Sequence, residues 1–487
     1  MKQVLAIDLG ASSGRGILAR LENGKFCLEE IHRFPNNGTY VNGTLYWDIL
    51  YLYDQIKQAM QKAAAKGGFD SMGIDTWGVD YGLIDEDGAL VCNPVHYRDT
   101  RTQEILEDVY HVIGQSELYA RTGIQLLDFN TIFQLYYHAH KRAGQMERAQ
   151  KCLLIPDLLN YFLTGRACNE YTAASTTQLL NPHTRQWDVE LMEKLGIPTR
   201  LFGEIVQPGQ TIGTVSKAVC EELCIPPADV VAVGSHDTAS AVVSVPGESS
   251  DFAYISCGTW SLFGTELACP LITDAGRISS YTNEGGVGGT IRYLSNIMGL
   301  WLIQESRRAW LRQGQTLSFN DLEQAARTSE PFACFIDPDA PEFATPGNLP
   351  ERIAAFCART GQSVPQSVGE TVRCIYESLA LKYRYALKNL EHITKKAFDC
   401  IHIVGGGTKD PFLCQLTASS CNVRVAAGPV EATALGNIAV QLMAAGEIAD
   451  VKDARHIIRN SFDIKEYQPQ SPADWDAAYE RFLKLIG

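Results

Sequence analysis

Long apolar runs, an excess of positive charge and regularly spaced metal-binding cysteines are all missing from this sequence. No apolar stretch reaches the roughly 20 residues that a membrane-spanning helix needs, and the start, Met1-Lys2-Gln3-Val4, lacks the form of a signal peptide. The net charge of −14 argues against nucleic acid or an anionic membrane as a partner. We therefore expect a cytoplasmic protein with no membrane and no nucleic-acid partner.

The 14 cysteines are scattered along the chain, without paired CxxC units or a Cys/His ladder. This spacing predicts reduced thiols, most of them buried, and no zinc site. A disulfide bond between Cys357 and Cys374 is an alternative that the sequence leaves open, although most cysteines of cytosolic proteins are free.

The 487 residues are too many for one ordinary core, so the length predicts at least two domains. The best linker candidate is Val245-Pro246-Gly247-Glu248-Ser249-Ser250, because Pro, Gly and Ser cluster there. We place the domains at 1–245 and 246–487. The first carries an insertion over about 100–200 in which the apolar spacing is largely helical.

The opening stretch Val4–Leu18 has an apolar strand, a tight turn rich in Gly and Ser, and a second apolar strand. Gly10 and Gly14 permit positive φ and leave room for a ligand beside the backbone. A plain hairpin, which needs no ligand at all, is the alternative for this stretch.

Four side chains in or beside this turn have the chemistry of a phosphate site. Ser12 and Ser13 supply hydroxyl donors, and Arg15 supplies a forked positive charge. Asp8, at the end of the first strand, is a hard oxygen ligand placed where Mg²⁺ bound to a nucleotide would lie. Its contact with the ion would run through a water molecule.

The stretch Phe252–Phe263 repeats this layout of strand, Gly/Thr/Ser turn and strand. A repeated plan near the start of each half predicts duplicated domains that face each other across a cleft. Thr259 in the second turn is positioned to donate to a phosphate, although its hydroxyl could equally bond to its own backbone.

Asp237 is the strongest candidate for a catalytic residue. It follows the apolar strand Val230–Val233 and precedes a helix, the position at which open α/β sheets bind ligands. An aspartate here can accept a proton from an alcohol that attacks a phosphoryl group. The simpler interpretation is a helix N-cap, but His236 and Thr238 beside it exceed what a cap requires.

Three further stretches carry weaker signals. Gly405-Gly406-Gly407 is a strand-to-helix turn that would let a ligand approach the backbone. Trp77-Gly78-Val79-Asp80 combines an aromatic face, a bare backbone and a carboxylate, which suits a sugar, although a buried core Trp is as common. Leu83–Val91 predicts two short strands around Asp87-Gly88.

Three of these stretches resemble the nucleotide signatures of the FGGY family of sugar kinases: Ala6–Arg15, Ser256–Ser261 and His402–Gly407. The resemblance extends over essentially the whole chain. It implies an α/β fold with two actin-like (ribonuclease-H-like) ATPase domains flanking a central cleft. The first domain would bind the sugar and carry the base, and the second would bind the nucleotide. The implied cofactors are ATP and Mg²⁺.

The resemblance also implies a set of contacts at matching positions. The residues expected to contact ATP are Ala11, Ser12, Ser13, Gly14, Arg15, Thr259, Gln304 and Gly406. The residues expected to contact the sugar are Gly78, His236, Asp237, Thr238 and Asn296, with Asp237 as the base. Asn296 and Gln304 are predicted by likeness alone.

Within the family, the chain is most similar to members that phosphorylate L-rhamnulose. The matching stretches are Gly73–Asp80, Tyr97–Arg101, Ser235–Ala241, Asn296–Leu302 and Gly428–Ala432. His236 replaces the Gly that many relatives acting on glycerol or xylulose have before the catalytic Asp. The implied reaction is the ATP-dependent phosphorylation of L-rhamnulose at its C1 hydroxyl.

Two alternatives remain open. The chain could phosphorylate another ketose, such as L-fuculose or xylulose, or it could be a non-catalytic sugar or nucleotide sensor. A Rossmann-type dehydrogenase is disfavoured, because the turn at Gly10 leads into a second strand and a dinucleotide fingerprint must open a helix. The expected partners are a small sugar and ATP, with the chain a monomer or dimer.

Overall fold

The computed structural model describes residues 2–247 and 251–486 of the chain. Two compact units are present, each assembled from separate stretches. The first contains Met1–Ser244, Glu266–Tyr293 and Ala432–Ser461, and the second contains Val245–Thr265, Leu294–Glu431 and Phe462–Gly487. Glu248, Ser249 and Ser250 of the predicted linker lie outside the described residues, and the continuous domains 1–245 and 246–487 stay a prediction.

The bounds of the regular elements are as follows. The strands are Gln3–Leu9, Ser13–Glu22, Lys25–Pro35, Thr39–Val41, Thr44–Tyr46, Ser71–Thr76, Tyr81–Ile84, Lys151–Leu154, Asn169–Glu170, Leu180–Asn181, Gln186–Trp187, Ile205–Val206, Thr211–Thr214, Asp229–Val231, Ala253–Cys257, Trp260–Leu267, Tyr281–Gly285, Ile291–Met298, Cys400–Val404, Arg424–Ala427 and Lys465–Tyr467. The α-helices are Ile49–Ala64, Leu106–Val112, Gln115–Thr122, Thr131–Lys141, Ala143–Arg148, Ile155–Thr164, Tyr171–Ser175, Val189–Lys194, Lys217–Leu223, Asp237–Val243, Asp274–Ile278, Trp301–Arg312, Phe319–Thr328, Leu349–Arg359, Val368–Thr394, Pro411–Cys421, Ala432–Ala444, Val451–Ser461 and Pro472–Ile486. Short 3₁₀ helices span Thr100–Ile105, Thr199–Leu201, Val287–Gly289, Pro341–Phe343 and Gly406–Lys409.

The main sheet of the first unit has its parallel strands in the middle. Gln3–Leu9 pairs in parallel with Ser71–Thr76, which pairs in parallel with Asp229–Val231. Ser13–Glu22 and Lys25–Pro35 continue the sheet as antiparallel strands. The three parallel strands therefore end at the same edge of the sheet, where open α/β sheets bind ligands.

Apolar side chains on one face of this sheet form the core beneath that edge. Leu5, Ile7 and Ile74 are fully buried, and each such burial stabilises the fold by roughly 1.5–3 kcal/mol. The helix Ile49–Ala64 packs into the same cluster, and the Asp48 carboxylate caps it by accepting from the Tyr51 N–H at 3.1 Å. The strands are thus held rigidly up to the point where their polar ends begin.

The region from 100 to 201 is largely helical and has its own core. Ile132, Phe133 and Leu135 of the helix Thr131–Lys141 are fully buried in a second apolar cluster of the first unit. The short strand Lys151–Leu154 pairs with Tyr81–Ile84 and joins this cluster to the rest of the unit.

The predicted hairpin at Leu83–Val91 forms in shortened form, since the Val91 N–H donates to the Leu83 carbonyl and the Asp85 N–H to the Ala89 carbonyl, each at 2.9 Å. Tyr81–Ile84 takes Lys151–Leu154 as its antiparallel partner, and only an isolated bridge links Ile84 to Leu90. The first predicted strand forms, and its other edge pairs with Lys151–Leu154, while the second predicted strand is reduced to the single bridge at Leu90. The Asp87-Gly88 turn itself forms, with Gly88 at φ +80°.

The second unit is built on a sheet of similar plan. Ala253–Cys257 pairs antiparallel with Trp260–Leu267 and parallel with Cys400–Val404, which pairs in parallel with Arg424–Ala427. The helix Val368–Thr394, started by a capping box between Ser367 and Glu370, contributes fully buried side chains to this unit.

The cysteines follow the prediction for thiols, since none forms a disulfide in the part of the chain that the structure describes. The alternative bond between Cys357 and Cys374 is therefore not formed. Their sulfurs and that of Cys334 lie within 4.8 Å of one another, and all three residues are buried. No helix among residues 2–247 and 251–486 is both long and apolar enough to span a bilayer.

Candidate active site

Three carboxylates meet at the carboxyl edge of the first unit's sheet. Asp8 and Asp75 lie directly opposite each other on neighbouring parallel strands. Asp237 follows the next strand along, at a point where Thr76 and His236 form a parallel bridge and the Thr76 N–H donates to the Ser235 carbonyl at 2.9 Å. The sequence placed Asp8 and Asp237 in the site but missed Asp75.

The charges of these carboxylates act on one another. Burial raises the pKa of Asp75 well above its usual value, and the nearby charges of Asp8 and Asp237 raise it further. Burial also raises the pKa of Asp237, opposed by the charge of His236. A carboxylate whose pKa is raised toward neutrality is a better proton acceptor near pH 7 than an ordinary one.

The same crowding of negative charge fits a divalent cation. The Asp75 Oδ1 atom is buried without a hydrogen-bond partner, and carboxylate oxygens are the ligands that Mg²⁺ prefers. Among the described residues, however, no three carboxylates converge closely enough to hold an ion by themselves. An ion at this edge would therefore share its ligands with phosphate oxygens and water, as Mg²⁺ bound to a nucleotide does.

Asp237 is not the N-cap of the helix that it opens. The helix spans Asp237–Val243, and His236 is its N-cap residue. The Asp237 side chain remains 31% exposed and accepts a hydrogen bond at Oδ1 from the Thr238 hydroxyl at 3.1 Å. Because its carboxylate does not cap the helix, it keeps a free face for chemistry.

A chain of charged groups lies behind Asp237. His236 Nε2 is 3.4 Å from Asp237 Oδ1, and His236 Nδ1 is 3.3 Å from Glu284 Oε2. Arg292 NH1 is 3.0 Å from the same Glu284 oxygen. Burial would raise the pKa of Glu284, but Arg292 and His236 together lower it below its ordinary value, so the carboxylate is ionised.

The turn after the first strand is tied closely to its surroundings. The Gly10 N–H donates to the Ser13 carbonyl at 3.0 Å, and the Asn36 amide donates to the Gly10 carbonyl at 2.9 Å. Arg15 donates to Asp8 Oδ2 from Nε at 2.9 Å and from NH2 at 2.6 Å. The predicted phosphate ligand and the predicted metal-side ligand are thus partners of each other.

The two glycines of this turn have ordinary backbone angles, and packing accounts for Gly14. Neither Gly10 nor Gly14 has a positive φ, which corrects the reason given for them from the sequence. A Cβ on Gly14 would lie 2.3 Å from the Phe34 ring and 2.7 Å from Leu9 Cδ2. Gly14 is therefore required because the two side chains close over it. Ala11 and Ser13 are half-buried, and Ser12 is exposed.

The Trp77–Asp80 corner combines an open backbone with a structural carboxylate. Asp80 Oδ2 accepts from the indole N–H of Trp47 at 2.7 Å and from that of Trp77 at 3.0 Å. Burial raises the pKa of Asp80 to about 6. Trp77 is thus a core residue, the simpler of the two interpretations. Gly78 is half-buried, and Val79 beside it has φ +65°, a strained value for a β-branched residue.

In the second unit, two turns lie side by side at the end of parallel strands. The turn Cys257–Trp260 is closed by the Gly258 N–H donating to the Trp260 carbonyl at 2.8 Å. A Cβ on Gly407 would lie 2.2 Å from Cys257 Sγ, so the Gly405–Gly407 turn packs directly on it. Gly405 has φ +84°, which requires glycine.

The remaining predicted contacts of the second unit lie near Thr259 in the hydrogen-bond network. The Thr259 carbonyl accepts from the N–H groups of Gly299 and Trp301, each at 3.2 Å. Trp301 begins the helix that carries Gln304, and Asn296 lies two residues before the end of the preceding strand. Both predicted side chains are half-buried.

Sequence reasoning missed Asp75, Glu284 and Arg292. Asp75 had a usable signal, because Ile74-Asp75 repeats the pattern Ile7-Asp8 of an apolar strand that ends in an aspartate. Glu284 and Arg292 had none, since a Glu and an Arg in a Gly-rich stretch have no local spacing that indicates His236.

Both halves of the chain match the two domains of one known family. Residues 3–244 match the N-terminal domain of the FGGY family of carbohydrate kinases, and residues 253–445 match its C-terminal domain.

The chain belongs to the FGGY family of carbohydrate kinases.

Relatives of full length support this membership. A protein of Bacteroides thetaiotaomicron named rhamnulokinase is 45% identical over 488 residues and covers 100% of both chains. A Bacillus subtilis protein of the same name is 42% identical over 466 residues, covering 96% of this chain and 95% of its own. The FGGY kinase described here is therefore an enzyme of carbohydrate metabolism by descent.

Solved structures agree on the fold. A ligand-bound xylulose kinase from Lactobacillus acidophilus superposes with a TM-score of 0.82 at 18% identity, covering 100% of this chain and 98% of that one. Glycerol kinase from Plasmodium falciparum with ADP gives a TM-score of 0.77 at 15% identity, covering 100% and 98%. They confirm the predicted α/β class with actin-like ATPase domains. The cleft between the domains stays a prediction.

Proposed function

We propose that this FGGY kinase transfers the γ-phosphoryl group of ATP to the C1 hydroxyl of L-rhamnulose, giving L-rhamnulose 1-phosphate and ADP. The observation that carries the proposal is the full-length similarity, at 42–45% identity, to proteins named rhamnulokinase, combined with Asp237 at a ligand-binding sheet edge. The step would belong to L-rhamnose breakdown.

The mechanism begins with proton removal by Asp237. As the C1 oxygen of the sugar forms its bond to the γ-phosphorus, the bond from that phosphorus to the β-phosphate oxygen breaks. The hydroxyl proton passes to Asp237, whose raised pKa suits it to accept a proton at neutral pH. His236 and Thr238, on either side, would orient the sugar, and the open backbone at Gly78 would contact it.

The phosphates would be held by the two glycine turns, one in each unit. In the first unit the donors would be the Ser12 and Ser13 hydroxyls, the backbone from Ala11 to Gly14, and the Arg15 guanidinium. In the second unit they would be Thr259, Gln304 and the backbone at Gly406, with Asn296 on the sugar. Asp8 would hold Mg²⁺, through water, and the bound ion would neutralise charge on the phosphates.

A substrate panel tests the sugar. Purified protein is assayed with ATP and Mg²⁺ by coupled ADP release on L-rhamnulose, L-fuculose and D-xylulose. We expect the highest kcat/KM on L-rhamnulose. Preference for either of the other ketoses would contradict the substrate, and absence of ADP release with all three would favour a non-catalytic sensor.

Three further features remain proposals of the same kind. The requirement for Mg²⁺ is tested by adding EDTA, which should abolish ADP release, and then restoring activity with excess Mg²⁺. A cytoplasmic location is tested by fractionation of the producing cells. Monomer and dimer are distinguished by light scattering during size-exclusion chromatography.

A further inference from the structure

The imidazole of His236 is enclosed by charged groups of the first unit. Asp237 faces Nε2 and Glu284 faces Nδ1, at 3.4 and 3.3 Å. The His236 side chain is only 10% exposed. The His236 backbone N–H donates to the Thr172 hydroxyl at 3.2 Å, which fixes the main chain at the base of the ring. The ring therefore has carboxylates at both nitrogens and little contact with water.

Glu284 is itself held from behind. The Arg292 side chain is 0% exposed, contacts Glu284 Oε2 through NH1 at 3.0 Å, and donates from Nε to the Gly285 carbonyl at 2.8 Å. The Gly285 N–H donates to the Ser175 hydroxyl at 2.7 Å. Two buried charges are costly unless they are paired and fixed, so this pair has few alternative positions.

Other charged groups, on neighbouring elements, lie near His236 and Asp237. Glu170, fully buried, accepts from the Ser235 N–H at 3.3 Å. Asp8 and Asp75 act on Asp237 from the ends of their strands. Among the described carboxylates at this edge, Glu284 is the one that contacts the imidazole on the side away from Asp237.

We propose that Glu284, anchored by Arg292, is a positioning residue that pairs with the Nδ1 side of the His236 ring and stabilises positive charge on that ring beside Asp237. This inference rests on the proposed function, in which Asp237 is the base. A carboxylate fixes both the tautomer and the orientation of a neighbouring imidazole. Glu284 thereby keeps Asp237 ionised and correctly oriented before the sugar arrives.

The kinetic test uses E284Q, which removes the charge but keeps the size. We expect kcat/KM for the ketose to fall about 10–100-fold, as on loss of a partner that orients a functional histidine, with KM for ATP within about twofold of wild type. The acidic limb of the pH profile should move to higher pH, because less positive charge beside Asp237 lets it hold its proton more tightly. Unchanged constants would overturn the proposal.

The route through His236 is tested by a double-mutant cycle. In an H236Q background, adding E284Q should lower kcat/KM by less than about twofold, because the ring that Glu284 positions is absent. An equal loss in both backgrounds would show that Glu284 acts independently of His236 and would also overturn the proposal.

Unpairing Arg292 could itself damage the fold, so two further variants are needed. The double variant E284M/R292M removes both charges, and it should show the same kinetic loss as E284Q while unfolding cooperatively. The matched control is E377Q, another buried glutamate that is paired with an arginine, Arg373, in the second unit. It should leave kcat/KM unchanged. Wild-type constants in E284M/R292M would contradict the proposal.

A measurement without substrate separates this inference from the proposed function. In protein labelled with ¹⁵N at histidine, the His236 ring signals, assigned with H236Q, should show a protonated Nδ1 in wild type and a changed protonation pattern in E284Q. An identical pattern in both would overturn the role of Glu284, whereas failure of the proposed function would appear as wild-type protein inactive on L-rhamnulose.

Discussion

The two sheet edges that carry the glycine turns differ in charge. In the first unit the strand ends bear Asp8, Asp75 and Arg15, with Asp237 on the following turn. At the matching positions of the second unit, Cys257 lies opposite Ser261, and Gly405–Gly407 packs on the Cys257 side chain. One plan of strand, turn and strand thus supports an acidic edge in one unit and, at the strand ends themselves, a neutral edge in the other.

This difference in charge predicts different chemical roles for the two edges. A charged edge can take up a proton and attract a cation, because its carboxylates raise one another's pKa. A neutral edge of backbone N–H groups and a hydroxyl can bind a polyanion without repelling it. We expect substitutions in the first unit to act on catalysis and pH dependence, and those in the second to act on nucleotide affinity.

The largest effect should come from D237N, which removes the base but keeps the shape of the side chain. We expect kcat to fall by about 10³-fold or more, in the range of general-base catalysis, while ATP affinity measured by calorimetry stays within a few fold. Near-normal turnover would mean that the acidic edge is not the catalytic one.

The next effect concerns stability and tests whether Gly14 is fixed by packing. Because a Cβ would enter the Phe34 ring, G14A should lower the free energy of unfolding by about 1–3 kcal/mol. The matched control is G10A, whose Cβ would lie 3.4 Å from the Ser13 carbonyl oxygen, an ordinary contact. Urea denaturation compares the two, and equal stabilities would contradict the packing argument.

The third prediction concerns how the stability of the protein depends on pH through a buried group at the acidic edge. Burial raises the pKa of Glu170, which holds the turn before His236, from 4.5 to about 7. The folded state therefore binds the Glu170 proton more tightly than the unfolded state does. The contribution of Glu170 to the free energy of unfolding is fully present below about pH 4.5 and is lost as the pH rises through 7.

E170Q does not titrate and should remove this dependence. Between pH 4.5 and 8 the wild type should lose on the order of 1–3 kcal/mol more stability than E170Q. Thermal unfolding of both proteins across this pH range measures the difference. Parallel curves would show that Glu170 does not titrate in the window.

The smallest effect should come from T259V, which removes the hydroxyl from the neutral edge and keeps the side-chain shape. We expect KM for ATP to rise about 3–10-fold, the value of one hydrogen bond of about 1 kcal/mol, with kcat on the ketose little changed. In the matched control T265V, a buried hydroxyl that bonds to the Phe252 carbonyl is lost instead. That variant should lose stability and keep its KM for ATP.

Much of the fold could be predicted because its signals are local. The apolar run and the glycines around Asp8 lie within a few residues of one another, and so do the strand and the polar turn around His236. In each case the local spacing alone indicates a strand that ends in a polar turn. The family resemblance extended this to the duplicated fold and to Asn296 and Gln304, whose contacts with substrates stay predictions.

What could not be predicted depends on segments distant in the chain. The Leu83–Val91 hairpin is only part of the observed pairing, because the distant strand Lys151–Leu154 pairs with the other edge of Tyr81–Ile84. Gly10 and Gly14 do not use the positive φ that glycine permits, and what fits at Gly14 is decided instead by the Phe34 ring, from another strand. Local spacing contains no information about either of these distant contacts.

The sequence by itself determined the strand and turn patterns of both halves, the position of Asp237 at the end of a buried strand, and the family. Only the tertiary structure decided that Asp75 lies opposite Asp8, that Arg15 pairs with Asp8, and that Glu284 and Arg292 stand behind His236. The physical reason is that backbone periodicity is set by neighbours in the chain. The charge around a buried side chain is set by whichever residues the packing brings within a few ångströms.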